Sequence, residues 1–159
     1  MAIEIEIAQR IRRPRHEVAA FVADLEGWPR WLIASGIVAV RRAPKLAGTV
    51  PRVGESMSID QRAAGRAGTF AVTVTAADPE SRLALEGRDG DGVRIAIDAV
   101  LVPDGAEATE LRWSFRIELP FRYRFFESMA APQVRHATAL DLEALRLRLE
   151  AAGGAGAAG

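Results

Sequence analysis

Leu111-Arg-Trp113-Ser-Phe115-Arg-Ile117-Glu-Leu119 places every large apolar side chain on one parity and Arg112, Ser114, Arg116 and Glu118 on the other. Successive side chains of a strand point to opposite faces, so this stretch reads as a strand with one face in a core and one in water. The same period of two runs upstream. Val93, Ile95, Ile97 and Leu101 oppose Arg94 and Asp98, and Leu83 and Leu85 alternate with Arg82 and Glu86. Phe70, Val72 and Val74 alternate with Thr73 and Thr75, and Met57, Ile59 and Gln61 with Ser58 and Asp60. Ile37 to Arg42 is a further strand, and Ile3, Ile5, Ile7 and Ile11 face away from Glu4, Glu6 and Arg10 in the first. Turn residues separate these runs: Ala63 to Gly68, Asp78-Pro79, Gly87 to Gly92 and Pro103-Asp-Gly105. Short consecutive strands with tight turns form an antiparallel sheet. One apolar face and one charged face mean that the sheet is covered on one side only.

The helical signals lie at the two ends. After Pro14, a good first helical position, Val18, Phe21, Val22 and Leu25 recur at helical spacing. Gly27 and Pro29 break that helix, and a short second one is expected around Arg30 to Ala34. Residues 43–54 read as a loop. Pro132 starts or kinks a long helix over 133–151, rich in Ala, Leu and Arg, with Arg135, Thr138, Leu142, Leu145 and Leu149 on one face. This helix is the expected cover. The architecture is α+β in a single domain over residues 1–152, with residues 153–159 a disordered Gly/Ala tail.

Composition narrows the function. With 21 basic and 21 acidic residues the net charge is zero, so no overall electrostatic pull toward nucleic acid or anionic lipid is expected. The chain has no cysteine, which excludes disulfides, thiolate metal sites and cysteine nucleophiles. His16 and His136 are the only histidines, both expected at the surface, and they form no metal motif with the acids. No metal and no cofactor are expected. No apolar stretch approaches a membrane span, and Met1-Ala-Ile-Glu-Ile lacks the basic opening of a secretory signal, so cytoplasmic residence is expected.

Several motifs resemble one family. The isoleucine-rich first strand runs into Arg13-Pro14-Arg-His-Glu-Val18, then Phe21-Val-Ala-Asp24 and Trp28-Pro-Arg-Trp31, and the last helix carries Asp141-Leu142-Glu-Ala-Leu145. Over residues 3–151 the chain resembles the SRPBCC or START-like superfamily, especially bacterial members described as polyketide cyclase/dehydrase or lipid-transport-like. The resemblance implies a helix-grip fold: a seven-stranded curved antiparallel sheet wrapped around a long C-terminal helix, two short helices after strand 1, and a cavity between sheet and helix. It departs from the aromatising cyclases, whose central strand carries a Trp followed by paired arginines. The corresponding stretch here is Gly68-Thr-Phe-Ala-Val-Thr-Val-Thr75.

The expected pocket lining follows from the inward parity: Met57, Ile59, Gln61, Phe70, Val72, Leu85, Ile95, Ile97, Trp113, Phe115 and Ile117. Trp31, Phe126, Met129, Arg135 and Thr138 join from outside the strands. Such a wall suits a small hydrophobic molecule, aromatic, polyketide-like or lipid-like, held by a carrier or sensor. For a ligand of roughly 20 heavy atoms, about 0.3 kcal/mol per atom gives affinity in the tens of micromolar. A second reading is a polyketide cyclase or dehydratase in which Arg135, Gln61 or Tyr123 polarises a carbonyl. Phe121, Tyr123, Phe125 and Phe126 either gate the entrance or plug the core. A third reading is a protein-interaction module, monomer or homodimer, using Leu140 and Leu147, which point away from the apolar helix face.

Overall fold

The alternation that opens the sequence is realised as a pleat. In the computed structural model, which describes residues 2–63 and 65–157, strand β7 (Thr109–Glu118) buries Leu111 and Trp113 and turns Arg112 and Arg116 to solvent. Strands β1 (Ala2–Ile11), β2 (Ile37–Arg41), β3 (Ser56–Ala63), β4 (Arg66–Asp78), β5 (Arg82–Arg88) and β6 (Arg94–Pro103) complete a seven-stranded sheet in the order β1-β7-β6-β5-β4-β3-β2. Every neighbouring pair is antiparallel. The register slips between Ile37 and Ala39 and between Val74 and Ala76, irregularities that bend and twist a strand.

Helix α1 (Arg15–Ala23) follows β1 and buries Val18 and Val22. The second short helix is a 3-10 helix at Leu25–Arg30, not the expected turn of helix at Arg30 to Ala34. The reason is tertiary. Trp28 is fully buried and its Nε1 donates to the Val22 carbonyl at 2.9 Å, which winds the segment back onto α1. The chain then turns through Gly36, whose φ is +78°. A Cβ there would stand 2.1 Å from the Arg62 carbonyl oxygen, so only glycine fits.

The long helix α2 (Glu127–Ala157) begins earlier than expected, directly after a second 3-10 helix at Phe121–Phe126. Pro132 neither starts it nor ends it but lies inside it. At the sixth residue of the helix it forfeits one i→i−4 bond, the one that would reach the Ser128 carbonyl. At the other end the helical backbone continues to Ala157, through much of the stretch expected to be a disordered tail; residues 158–159 lie outside the described residues. α2 buries Thr138, Asp141, Leu142, Leu145 and Leu149 and lies chiefly against β1.

Candidate functional site

The inner face of the sheet divides into two parts. At the end where β1 runs into α1, a cluster of aromatic rings fills the space. Trp31 meets Trp113 edge-on at 5.5 Å between centroids, Trp28 meets Trp113 at 5.8 Å, and Phe21 meets Trp31 at 6.3 Å. Around them, Met57, Ile59, Phe70, Val72, Leu85 and Ile97 are only 1–6% exposed. These residues, expected to line a pocket together with Trp31 and Trp113, belong with them to the buried hydrophobic cluster. The Trp31 indole N–H is buried without an acceptor among the described residues, an unusual state for a buried donor.

At the other end the inner parity stays open. Ile95 and Ile117 face each other across β6 and β7, and Phe115 sits one step further along the same face. All three, with Leu119, are only half-buried, although they border the same core. The first part of α2 carries half-buried Val134 and exposed Met129, and the 3-10 helix before it carries exposed Phe126. Because α2 lies along β1 and the tryptophans cover the far end, no element covers these four side chains fully. The result is a partly uncovered apolar patch at this end of the inner face. Two hollows lie elsewhere: a groove of about 220 Å3 between α1 and the β4–β5 turn, lined by Ala19, Ala20, Val50 and Leu83, and one of about 270 Å3 on the outer face around Ala96.

A polar clamp joins α2 to the loop before β2. Asp141, 2% exposed on the inner face of α2, accepts the backbone N–H groups of Ala34 and Ser35, each at 2.8 Å. The Ser35 carbonyl in turn accepts the Gln61 Nε2–H at 2.9 Å. One loop residue thus ties α2 to β3. Burial pushes the Asp141 carboxyl above the ordinary aspartate range; the Ser35 hydroxyl and the two N–H groups pull it down without cancelling that effect. Gln61, expected to offer its amide to a ligand, is committed to Ser35. The signal for Asp141 in the sequence is a lone aspartate on the helix face of Thr138, Leu142 and Leu145.

A second buried network was not anticipated. The Arg42 side chain is 1% exposed and bonds Glu55, itself 5% exposed, at 2.6 and 3.1 Å. It also donates to Glu26 and to the Thr49 carbonyl, both at 3.0 Å. Loop 43–55 is therefore pinned to the 3-10 helix that carries Glu26. Nothing in the strand pattern distinguishes Arg42 from the exposed Arg41 beside it.

The remaining candidates disperse. Arg135 was expected on the inner face of α2, but it is exposed. The helix is rolled so that Val134, Thr138, Asp141 and Leu145 face inward, which leaves position 135 just outside the stripe. The Thr138 hydroxyl donates to the Val134 carbonyl at 2.8 Å, an intrahelical bond that occupies its hydrogen. Tyr123 is half-buried near the start of α2, with the Arg122 guanidinium 5.0 Å above its ring. His16 and His136 are exposed, and Asp60 and Asp98 pair with Arg41 and Arg82 on the outer face. Leu140 and Leu147 are exposed, as expected from their helical position. No helix is long and apolar enough to cross a membrane.

A seven-stranded antiparallel sheet gripping a long C-terminal helix, with two short helices after the first strand, is the START-like helix-grip fold. The family model described as "Polyketide cyclase / dehydrase and lipid transport" matches residues 2–150, and the chain belongs to that family. Solved structures repeat the fold at low identity. The Zhui aromatase/cyclase of a Streptomyces species superposes with a TM-score of 0.74 at 15% identity, covering 94% of both chains. A START superfamily protein from Mycobacterium smegmatis gives 0.67 at 18% identity, over 92% of this chain and 97% of that one. A Thermus thermophilus protein gives 0.72 at 21%, over 94% and 98%. No curated protein sequence matches the chain.

Proposed function

We propose that this protein binds a small hydrophobic molecule, aromatic, polyketide-like or lipid-like, at the partly uncovered apolar patch of β6–β7, as a cytoplasmic carrier or sensor. One observation carries this reading: Ile95, Phe115, Ile117 and Leu119 stay half-exposed on an inner face whose neighbouring residues Leu85, Ile97 and Trp113 are 2–6% exposed. An apolar wall left partly in water gains free energy when an apolar ligand covers it, by about 25 cal/mol per Å2. Membership of a family described by cyclisation, dehydration and lipid transport supports the same class of ligand.

The polar groups favour binding over catalysis. The Asp141 carboxylate and the Gln61 amide are engaged by backbone partners, and Arg135 faces solvent. A cyclase or dehydratase reading is left with the half-buried Tyr123 as its one candidate of the three to polarise a carbonyl. The test is saturable binding of the apolar dye N-phenylnaphthylamine, followed by Ile117→Glu. The expected result is micromolar binding to the wild type and a loss of about tenfold or more in the variant, with circular dichroism unchanged. Equal dye affinity in both proteins would remove the patch as the binding site. Turnover of a polyketide-like substrate that disappears with Tyr123→Phe would favour the enzymatic reading.

A further inference from the structure

The segment joining β7 to α2 is amphipathic the wrong way round. Phe121, Phe125 and Met129 recur every fourth residue and are 78%, 86% and 68% exposed, and Phe126 beside them is 56% exposed. The sides of these turns that meet the protein carry Tyr123, Glu127, Ala130 and Ala131, all half-buried. A cluster of large apolar side chains aimed at water is the opposite of what a core-facing segment presents. These side chains lie where β7 passes into α2.

The charges around the cluster point to what covers it. Arg122 and Arg124 are interleaved with the phenylalanines; Arg124 stacks over the Phe121 ring at 5.2 Å and Arg122 donates to the Asp91 carbonyl at 2.5 Å. Among the described residues neither makes an ion pair. Of the acids at this end of the sheet, Asp89 and Asp91 are engaged by Arg66 and Glu118 by Arg116, while Glu86 is exposed and makes no ion pair among the described residues. Glu127 has one carboxylate oxygen buried rather than offered to them. Arg62, Arg88 and Arg94, at the same strand ends, are also exposed and make no ion pair among the described residues. Zero net charge for the whole chain thus conceals a local excess of uncompensated guanidinium groups at one end.

We infer that this end docks on an anionic lipid bilayer surface, with Phe121, Phe125, Phe126 and Met129 entering the headgroup boundary and the surrounding arginines contacting the lipid phosphates. Aromatic side chains settle at that boundary, and guanidinium groups on flexible stems reach its anionic layer. A segment this short anchors weakly and reversibly, because it neither spans the bilayer nor carries a lipid chain. Docked in this way, the apolar patch lies at the bilayer, so an apolar molecule would pass between them without crossing water. That use rests on the ligand reading above; the surface itself does not.

The experiment is co-flotation with vesicles of phosphatidylcholine alone and of phosphatidylcholine with phosphatidylglycerol, with N-phenylnaphthylamine binding measured separately. The expected result is flotation with the anionic vesicles only, weakened by salt. Arg122→Gln and Arg124→Gln should each lower the partition coefficient about fivefold. The double variant Phe121→Ser, Phe125→Ser should lower it at least tenfold, with the unfolding midpoint checked to show an intact fold. Wild-type protein that binds the dye but floats with neither vesicle overturns the docking surface and leaves the ligand reading standing. A dimer in light scattering that the double variant dissolves, with no flotation, overturns it in favour of self-association.

Discussion

Asp141 Oδ2 accepts the backbone N–H of Ser35 at 2.8 Å, a bond that joins the last helix to the loop before β2 across 106 residues of chain. Its other oxygen takes the N–H of Ala34. The carboxylate is buried, whereas Ala34 is exposed and Ser35 half-buried. Asp141→Ala should destabilise the protein by about 1–3 kcal/mol, through the loss of two hydrogen bonds to the carboxylate. Asp141→Asn, which keeps one acceptor, should cost about half as much. Urea unfolding of the three proteins checks the order.

The same residue gives a pH signature. Burial raises its folded-state pKa above the unfolded value. Its contribution to stability is then complete below the unfolded pKa and is lost as pH rises through the folded one. Wild-type stability measured relative to Asp141→Asn should fall as pH rises from about 3.8, then level off once the carboxyl is ionised. A difference that grows with pH instead would mean that the two N–H groups outweigh burial. Unfolding midpoints of both proteins across the acid range supply the comparison.

Arg42 offers a test of the buried ion-pair network. Removing one partner of a buried pair strands the other charge, so Arg42→Met should cost about 3–5 kcal/mol by leaving Glu55 unpaired. Arg42→Lys should recover only part, because an ammonium cannot reach Glu55, Glu26 and Thr49 with one planar fork. Limited proteolysis should show cleavage within residues 43–55 in both variants before the rest of the chain is attacked.

Core and patch should separate under truncation. Ile59 is 1% exposed, and Ile59→Ala should cost about 2–5 kcal/mol through lost burial and the cavity left behind. Ile117, half-buried at the open end, should cost about 1 kcal/mol or less on the same change while weakening dye binding. Similar losses at both positions would mean that Ile117 belongs to the core. Thermal or urea unfolding with a parallel dye titration reads both quantities.

Strand identity and the inner parity were legible because the pleat is a local property. A side chain's face in β7 is set by its neighbours in sequence, so Trp113 and Ile117 were assigned to one face without knowledge of any partner strand. The helices were less legible. Trp28 draws the short 3-10 helix to Leu25–Arg30 through a hydrogen bond that no spacing encodes, and a proline near a helix N-terminus is compatible with several starting points for α2. Arg135 lies one position off the buried stripe, and the roll of a helix that decides such a case is set by what it packs against.

Residue order alone fixed the antiparallel sheet, its apolar side and the helix that covers it, since each follows from a period of two or of 3.6 along the chain. Tertiary structure alone decided which apolar residues are sealed and which stay open. Trp113 is enclosed by Trp28 and Trp31 while Ile95 and Ile117, on the same face, are left half-covered. Coverage is a relation between distant segments, and alternation carries no information about what comes to rest on top.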